Sequence, residues 1–133
     1  MRVADLMRKD VKTIAQDASV AELVQRLADE NISGLPVTES GRLIGVVSST
    51  DVLQAAAEKE DEVARGTLFE HTRVRDLMSP NPQVIQPDAD VREAARNMLY
   101  TEVKRLFVEE NGRLVGVISQ TDIAHAVGQG RLR

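Results

Sequence analysis

The segment Gly41–Val52, GRLIGVVSSTDV, returns at Gly112–Ile123 as GRLVGVISQTDI. The surrounding chain repeats as well, because residues 3–56 align with residues 74–127 without a gap. A fixed internal period identifies the unit of folding before any single motif is considered. Each copy, at about 55 residues, is too short to bury a large core by itself. We therefore expect two copies related by a pseudo-twofold axis that share one core.

Both copies predict the same order of secondary structure. Ser19 and Glu22 form a capping-box pattern before a helix, and Asp90 with Glu93 repeats it. Apolar residues follow at helical spacing in both copies: Val20, Leu23, Val24 and Leu27, then Val91, Ala94, Ala95, Met98 and Leu99. Asn111-Gly112 then predicts a hairpin turn. The sequence predicts an α/β (α+β) chain of two β-α-β-β-α repeats.

The same pattern sets the expected bounds of the domains. We place the first repeat at residues 1–57, a linker at 58–73, the second repeat at 74–128 and a C-terminal tail at 129–133. The linker opens with the charged run Glu58–Glu62, which is typical of a solvated helix extension. A docking or gating segment around Leu68 and Phe69 is the alternative interpretation.

The amino-acid composition disfavours several classes of function. The chain has no cysteine, which excludes disulfides and thiolate metal sites, and a net charge of −4 disfavours nucleic acid as a partner. No apolar run approaches the roughly 18 residues of a membrane span, and the opening residues do not resemble a signal peptide. His71 and His125 lack ligand partners at metal spacing. We expect a cytoplasmic protein without a metal, a membrane partner or catalytic residues.

The strand-to-helix joints at Gly45–Asp51 and Gly116–Asp122 are the candidate binding sites. The start of a helix presents unpaired N–H groups and partial positive charge, which suit an anion such as phosphate. A carboxylate beside it suits the two hydroxyl donors of a ribose. Phosphate donors next to a diol acceptor describe half of a nucleotide site. The alternative is that Thr50 and Asp51 only cap their helix.

These joints match the pattern Gly-apolar-x-Ser/Thr-x-Ser/Thr-Asp in both copies. DLM occurs at Asp5–Met7 and Asp76–Met78, and ISGLPV at Ile32–Val37. In these features the chain resembles a tandem pair of CBS domains, the module named after cystathionine beta-synthase and also called a Bateman module. The resemblance covers nearly the whole chain except the linker and the tail.

The resemblance implies adenosine-nucleotide ligands (AMP, ADP or ATP) in two clefts between the copies, and no covalent cofactor. The first cleft would use Ser48, Thr50, Asp51, Pro82, Gln83, Val103 and Arg105. The second cleft would use Ser119, Thr121, Asp122, Val11, Lys12, Ile32 and Gly34. In each cleft, backbone amides near Gln83 or Lys12 would bind the adenine ring.

The two copies differ where Ser33-Gly34 is replaced by Lys104-Arg105. Arg105 is either a planar donor for phosphate or part of a solvated basic pair. If it binds phosphate in the first cleft, the Asp51 cleft should prefer ADP or ATP. The Asp122 cleft should then be weaker, or favour AMP or an uncharged adenosine group, unless Lys12 or a residue from the dimer partner supplies the missing charge.

The function expected from these features is an adenosine-nucleotide-sensing regulatory module that modulates a partner protein and catalyses nothing. The resemblance also implies a homodimer, with Val52–Ala57 and Ala94–Leu99 as candidate contact surfaces. The alternatives are a structural dimerisation module with relic sites and a binder of S-adenosylmethionine or nucleic acid.

Overall fold

The computed structural model describes residues 1–59 and 61–131, and they form two compact units. One unit is Lys12–Pro82, which we call the Asp51 unit. The other joins Met1–Val11 to the described part of Gln83–Arg133, and we call it the Asp122 unit. Glu60, in the predicted linker, and Leu132 and Arg133, in the predicted tail, lie outside the described residues.

The two units contain equivalent secondary structure. In chain order the elements are α1 (Val3–Leu6), β1 (Ile14–Ala15), α2 (Val20–Glu30), β2 (Gly34–Glu39), β3 (Arg42–Ser48), α3 (Ser49–Ala57), α4 (Glu62–His71), α5 (Val74–Leu77), β4 (Val84–Ile85), α6 (Val91–Thr101), β5 (Arg105–Glu110), β6 (Arg113–Ser119) and α7 (Gln120–Gly128). The predicted mixed α/β class is confirmed.

In each unit a short strand lies parallel to the first strand of a hairpin. β1 pairs with β2 and β4 with β5 in parallel, whereas β2–β3 and β5–β6 are antiparallel. The hairpin turns place two consecutive residues at positive φ, Ser40-Gly41 and Asn111-Gly112. This geometry joins twisted antiparallel strands, and Gly adopts it without steric cost. The hairpin predicted from Asn111-Gly112 is confirmed.

The core of each unit lies between one face of its strands and its longest helix. In the Asp51 unit the buried cluster includes Leu23 and Leu27 from α2, with Leu35 and Val47 from the hairpin. The Asp122 unit repeats this core with Val91, Ala94, Met98, Leu106, Val108 and Ile118. The predicted apolar stripes therefore face the core, although their outer members Val24 and Leu99 are 38% and 73% exposed.

The opening helix of each repeat packs with the hairpin of the other repeat. Val3, from the first repeat, is fully buried in the core of the Asp122 unit, and Val74 is fully buried in the core of the Asp51 unit. Backbone bonds hold α1 in place, because Val3 N donates to the carbonyl of Ala89 at 2.8 Å. The sequence repeat and the compact unit therefore have different bounds.

Gly116 and Gly45 leave room for the backbone of the segments that follow α1 and α5. The residues Arg8 and Val117 exchange backbone hydrogen bonds of 2.8 and 2.9 Å, beside Gly116. A Cβ at Gly116 would lie 2.8 Å from Met7 Sδ and 2.9 Å from the carbonyl oxygen of Arg8. Gly45 is crowded in the same way by Met78 and Ser79. A side chain at either glycine would push the docked segment away.

The predicted linker at 58–73 contains a helix that the sequence did not predict. α4 begins behind an N-cap at Asp61, whose side chain accepts from Ala64 N. It packs against α2 and α3, and Leu68 is only 2% exposed. Leu68 is therefore a structural anchor, whereas Phe69 remains 38% exposed.

We predict that Gly116→Ala destabilises the protein by about 1–3 kcal/mol, the usual cost of overpacking a tight contact. Gly66→Ala is the matched control, since a Cβ there meets no atom within 4 Å and the residue lies inside α4. The free energy of unfolding of the control should rise by roughly 0.5–1 kcal/mol, because Ala has a higher helix propensity than Gly. Urea unfolding of both variants measures the difference. Equal stability would contradict the assigned role of Gly116.

Candidate functional site

In the Asp51 unit, a reciprocal capping box builds the joint between β3 and α3. Ser48 is the N-cap, and its Oγ accepts from the backbone N–H of Asp51 at 3.3 Å. In return, Oδ2 of Asp51 accepts from the N–H of Ser48 at 2.8 Å and from its hydroxyl at 3.2 Å. Ser48, and not Thr50, therefore caps the helix, and the bonds fix the carboxylate of Asp51 beside the helix start.

The Asp122 unit repeats this box between β6 and α7. Ser119 Oγ accepts from the N–H of Asp122 at 3.1 Å, and Asp122 Oδ2 accepts from the N–H of Ser119 at 2.9 Å. Here the second carboxylate oxygen, Oδ1, also accepts from Nε of Arg8 at 3.1 Å. The Asp122 side chain is 12% exposed, whereas that of Arg8 is 69% exposed.

Most amides at these helix starts already have acceptors. Ser49 N donates to the carbonyl of Ser33 at 2.8 Å, and Gln120 N donates to that of Lys104 at 2.9 Å. Within the described chain, the N–H groups of Thr50 and Thr121 keep no recorded acceptor, and both threonines are exposed. Each joint thus offers an anion one threonine amide and its hydroxyl, which is fewer donors than the sequence suggested.

The hairpin register places further predicted residues beside the joints. Arg105 is the cross-strand partner of Ser119, as Gly34 is of Ser48. The carbonyl of Val103 accepts from the side chain of Gln120 at 3.1 Å. Ile32 is half-buried against the core of the Asp51 unit.

The residues predicted for one cleft come from both units. Ser48, Thr50, Asp51 and Pro82 belong to the Asp51 unit, whereas Gln83, Val103 and Arg105 belong to the Asp122 unit. For the second cleft, Ser119, Thr121, Asp122 and Val11 belong to the Asp122 unit, whereas Lys12, Ile32 and Gly34 belong to the Asp51 unit. The assembly of each full set stays a prediction.

Arg105 is half-buried at the start of β5. Its guanidinium carbon lies 5.5 Å from the ring centroid of Phe107, which is favourable for a cation–π contact. Burial lowers the pKa of Arg105 from its usual value. The alternating direction of strand side chains places Arg105 and Phe107 on the face opposite Leu106 and Val108, which belong to the core cluster. The guanidinium is held outside that core.

Sequence reasoning missed Arg8 as a functional candidate. In the repeat alignment Arg8 falls opposite Ser79, directly after the DLM motif of each copy. That difference was the available signal, but nothing in the sequence places residue 8 near residue 122. Only the docking of α1 in the Asp122 unit brings the two side chains together.

Residues 1–59 and 61–131 contain no group of three or more His, Cys, Asp or Glu side chains arranged to hold a metal ion. The same residues include no helix with the length and apolar character needed to cross a bilayer.

The profile of the CBS domain matches residues 3–58 and 74–129, which carry both joints. The chain belongs to the CBS-domain family. CBSX2 from Arabidopsis thaliana superimposes with a TM-score of 0.78 at 29% identity, covering 98% of this chain and 96% of that one. CBSX2 in complex with AMP gives a TM-score of 0.80 at 29% identity and covers 98% of both chains.

Curated relatives with longer chains also match this CBS-domain protein. An uncharacterized protein of Methanocaldococcus jannaschii is 28% identical over 127 residues, which cover 95% of this chain and 42% of the relative. An inosine-5'-monophosphate dehydrogenase of Korarchaeum cryptofilum is 29% identical over 123 residues, covering 92% of this chain and 23% of the enzyme. This chain therefore spans less than half the length of both relatives.

We predict that Ser48→Ala lowers the stability of the protein by about 1 kcal/mol, because the substitution removes the N-cap of α3. Ser49→Ala is the matched control, since this serine is exposed and, among residues 1–59 and 61–131, its hydrogen bond is made by the backbone N–H and not by the hydroxyl. In thermal unfolding, the Tm of Ser48→Ala should lie several degrees below that of the parent protein. The Tm of Ser49→Ala should stay close to that of the parent. Equal Tm values would show that the capping box adds no stability.

Proposed function

We propose that the chain is a cytoplasmic adenosine-nucleotide-sensing module that regulates a partner protein and catalyses no reaction itself. The observation that carries the proposal is the duplicated joint, in which a capped helix start holds a carboxylate next to a threonine amide and hydroxyl. The ligand classes are AMP, ADP and ATP. The 29% identity to CBSX2, whose crystal structure contains AMP, supports this choice.

The chemistry of the joint suits a nucleoside phosphate. The carboxylates of Asp51 and Asp122 each have acceptor capacity beyond the capping bonds, and a ribose diol supplies two O–H donors. The exposed hydroxyls of Thr50 and Thr121 lie one residue before these carboxylates and suit phosphate oxygens. We propose that the other predicted residues complete the two sites: Pro82, Gln83, Val103 and Arg105, and Val11, Lys12, Ile32 and Gly34.

Regulation requires that the ligand distinguish two states of the protein. A nucleotide shifts a conformational equilibrium only by the difference between its affinities for the two states. We propose that nucleotide binding at the two joints changes the conformation that the partner protein recognises. A structural module with relic sites, or a binder of S-adenosylmethionine, would give different results in the titrations below.

We predict that Asp51→Ala and Asp122→Ala each weaken nucleotide binding at their own site. The loss of hydrogen bonds to a charged group costs about 1.5–3 kcal/mol, which is roughly a tenfold to more than hundredfold rise in Kd. Calorimetry with AMP, ADP, ATP and S-adenosylmethionine measures the Kd of each variant. Asp61→Ala is the matched control, because it removes a carboxylate that accepts a backbone hydrogen bond at the start of α4, outside both joints.

Three results would argue against the proposal. Absence of binding by the parent protein at millimolar concentration would favour the relic reading. Tight binding of S-adenosylmethionine alone would change the ligand class. Parent-like affinity in the Asp51→Ala/Asp122→Ala double variant would show that the carboxylates do not bind the ribose.

We also propose that the chain forms a homodimer through exposed apolar side chains of its helices. Leu53 in α3 is 69% exposed, and Leu99 and Tyr100 in α6 are 73% and 90% exposed. Exposed apolar side chains of this size favour burial in an interface. Leu53 and Leu99 lie in the two segments that the sequence nominated.

We predict a particle of twice 14.6 kDa in light scattering at micromolar concentration. Leu99→Glu should shift the protein to a monomer, because it would bury an unpaired charge in the interface. Gln86→Glu, at an exposed position outside the helices, should leave the mass unchanged. A parent that stays at 14.6 kDa across that concentration range would rule the homodimer out.

A further inference from the structure

The side chain of Arg8 forms an ion pair with the carboxylate of Asp122. Its Nε donates to Oδ1 of Asp122 at 3.1 Å, while Oδ2 accepts from the backbone of Ser119. Both Asp122 oxygens therefore carry a hydrogen bond. Ser79 stands at the equivalent position of the Asp51 unit, and the only recorded donors to Asp51 in the described chain come from Ser48, through Oδ2. The two carboxylates thus differ in one cationic partner.

Hydrogen bonds hold the backbone of Arg8, whereas most of its side chain is exposed. The bonds to Val117 hold the main chain, and Gly116 provides the space for it. The Arg8 side chain is 69% exposed, whereas that of Asp122 is 12% exposed, so water screens the arginine end of the ion pair. The guanidinium can therefore turn from Asp122 toward another anionic partner that reaches it from the solvent side. It binds Asp122 through Nε, so its terminal nitrogens remain available for a second acceptor.

We infer that Arg8 is a specificity-determining residue of the Asp122 site, selecting phosphorylated adenosine ligands over uncharged ones. This inference rests on the proposed function. Arg8 donates to Oδ1 of Asp122, so a ribose diol would have to compete with it for that oxygen. A phosphate group offers the guanidinium a charged acceptor in exchange, and such contacts can be bidentate. Adenosine offers no such acceptor, so it must compete with Arg8 without compensation.

Arg8 gives the Asp122 site a cation that the sequence did not assign to it. The sequence assigned Arg105 to the Asp51 site and therefore expected that site to prefer added phosphates, and that assignment stays a prediction. Arg8 contacts Asp122, whereas the equivalent position in the Asp51 unit is Ser79. We therefore expect the Asp122 site to select for phosphate as well, through a residue that the Asp51 site lacks.

The test replaces each residue by its counterpart in the other repeat. Arg8→Ser should fold, because Ser79 makes the same pair of backbone bonds with Val46. Calorimetry in an Asp51→Ala background follows the Asp122 site alone, with AMP and adenosine as the probes. We expect Arg8→Ser to weaken AMP binding about tenfold, the loss of a charge-assisted bond, and to strengthen adenosine binding severalfold.

Two further variants separate selectivity from a general loss of positive charge. Arg96→Ser removes an exposed arginine from α6 and should leave the ratio of AMP to adenosine affinity unchanged. Ser79→Arg, in an Asp122→Ala background, should raise that ratio at the Asp51 site. A ratio unaltered by Arg8→Ser in a protein that binds AMP would overturn this inference alone. A parent that binds neither probe would overturn the proposed function together with it.

Discussion

Gly45 and Gly116 each admit the backbone of a segment from the other repeat, and the rest of each unit is built on this contact. A Cβ at Gly116 would meet the carbonyl oxygen of Arg8 at 2.9 Å, and one at Gly45 would meet that of Ser79 at the same distance. The strand and the docked segment also exchange two backbone hydrogen bonds in both units. Each hairpin therefore depends on the opening residues of the other repeat, which explains why a single repeat is not a compact unit.

This contact also determines the chemistry of the two joints. The strand that carries the glycine ends at the capping serine, so the docked segment passes close to the helix start and its aspartate. The residue that follows the methionine of the DLM motif is arginine in the Asp122 unit, where it forms an ion pair with the aspartate, and serine in the Asp51 unit. Two nearly identical motifs thereby become chemically different sites.

The repeat pattern was sufficient to predict the fold class, the hairpins and the two joints, because these depend on local periodicity, turns and caps. It did not predict α4, whose anchor Leu68 is buried by packing against α2 and α3 and not by a strong apolar stripe. The ion pair of Arg8 with Asp122 joins residues 114 positions apart and follows only from the exchange of the opening helices. Long-range pairing of this kind has no signature in a local window of sequence.

Backbone amide chemical shifts during a titration with AMP measure directly whether the nucleotide binds at the two joints. We predict that the largest changes fall at Ser49–Asp51 and Gln120–Asp122, accompanied by a shift of the Nε–H signal of Arg8. Saturating AMP that leaves these signals unchanged, or that shifts only residues away from both joints, would contradict it.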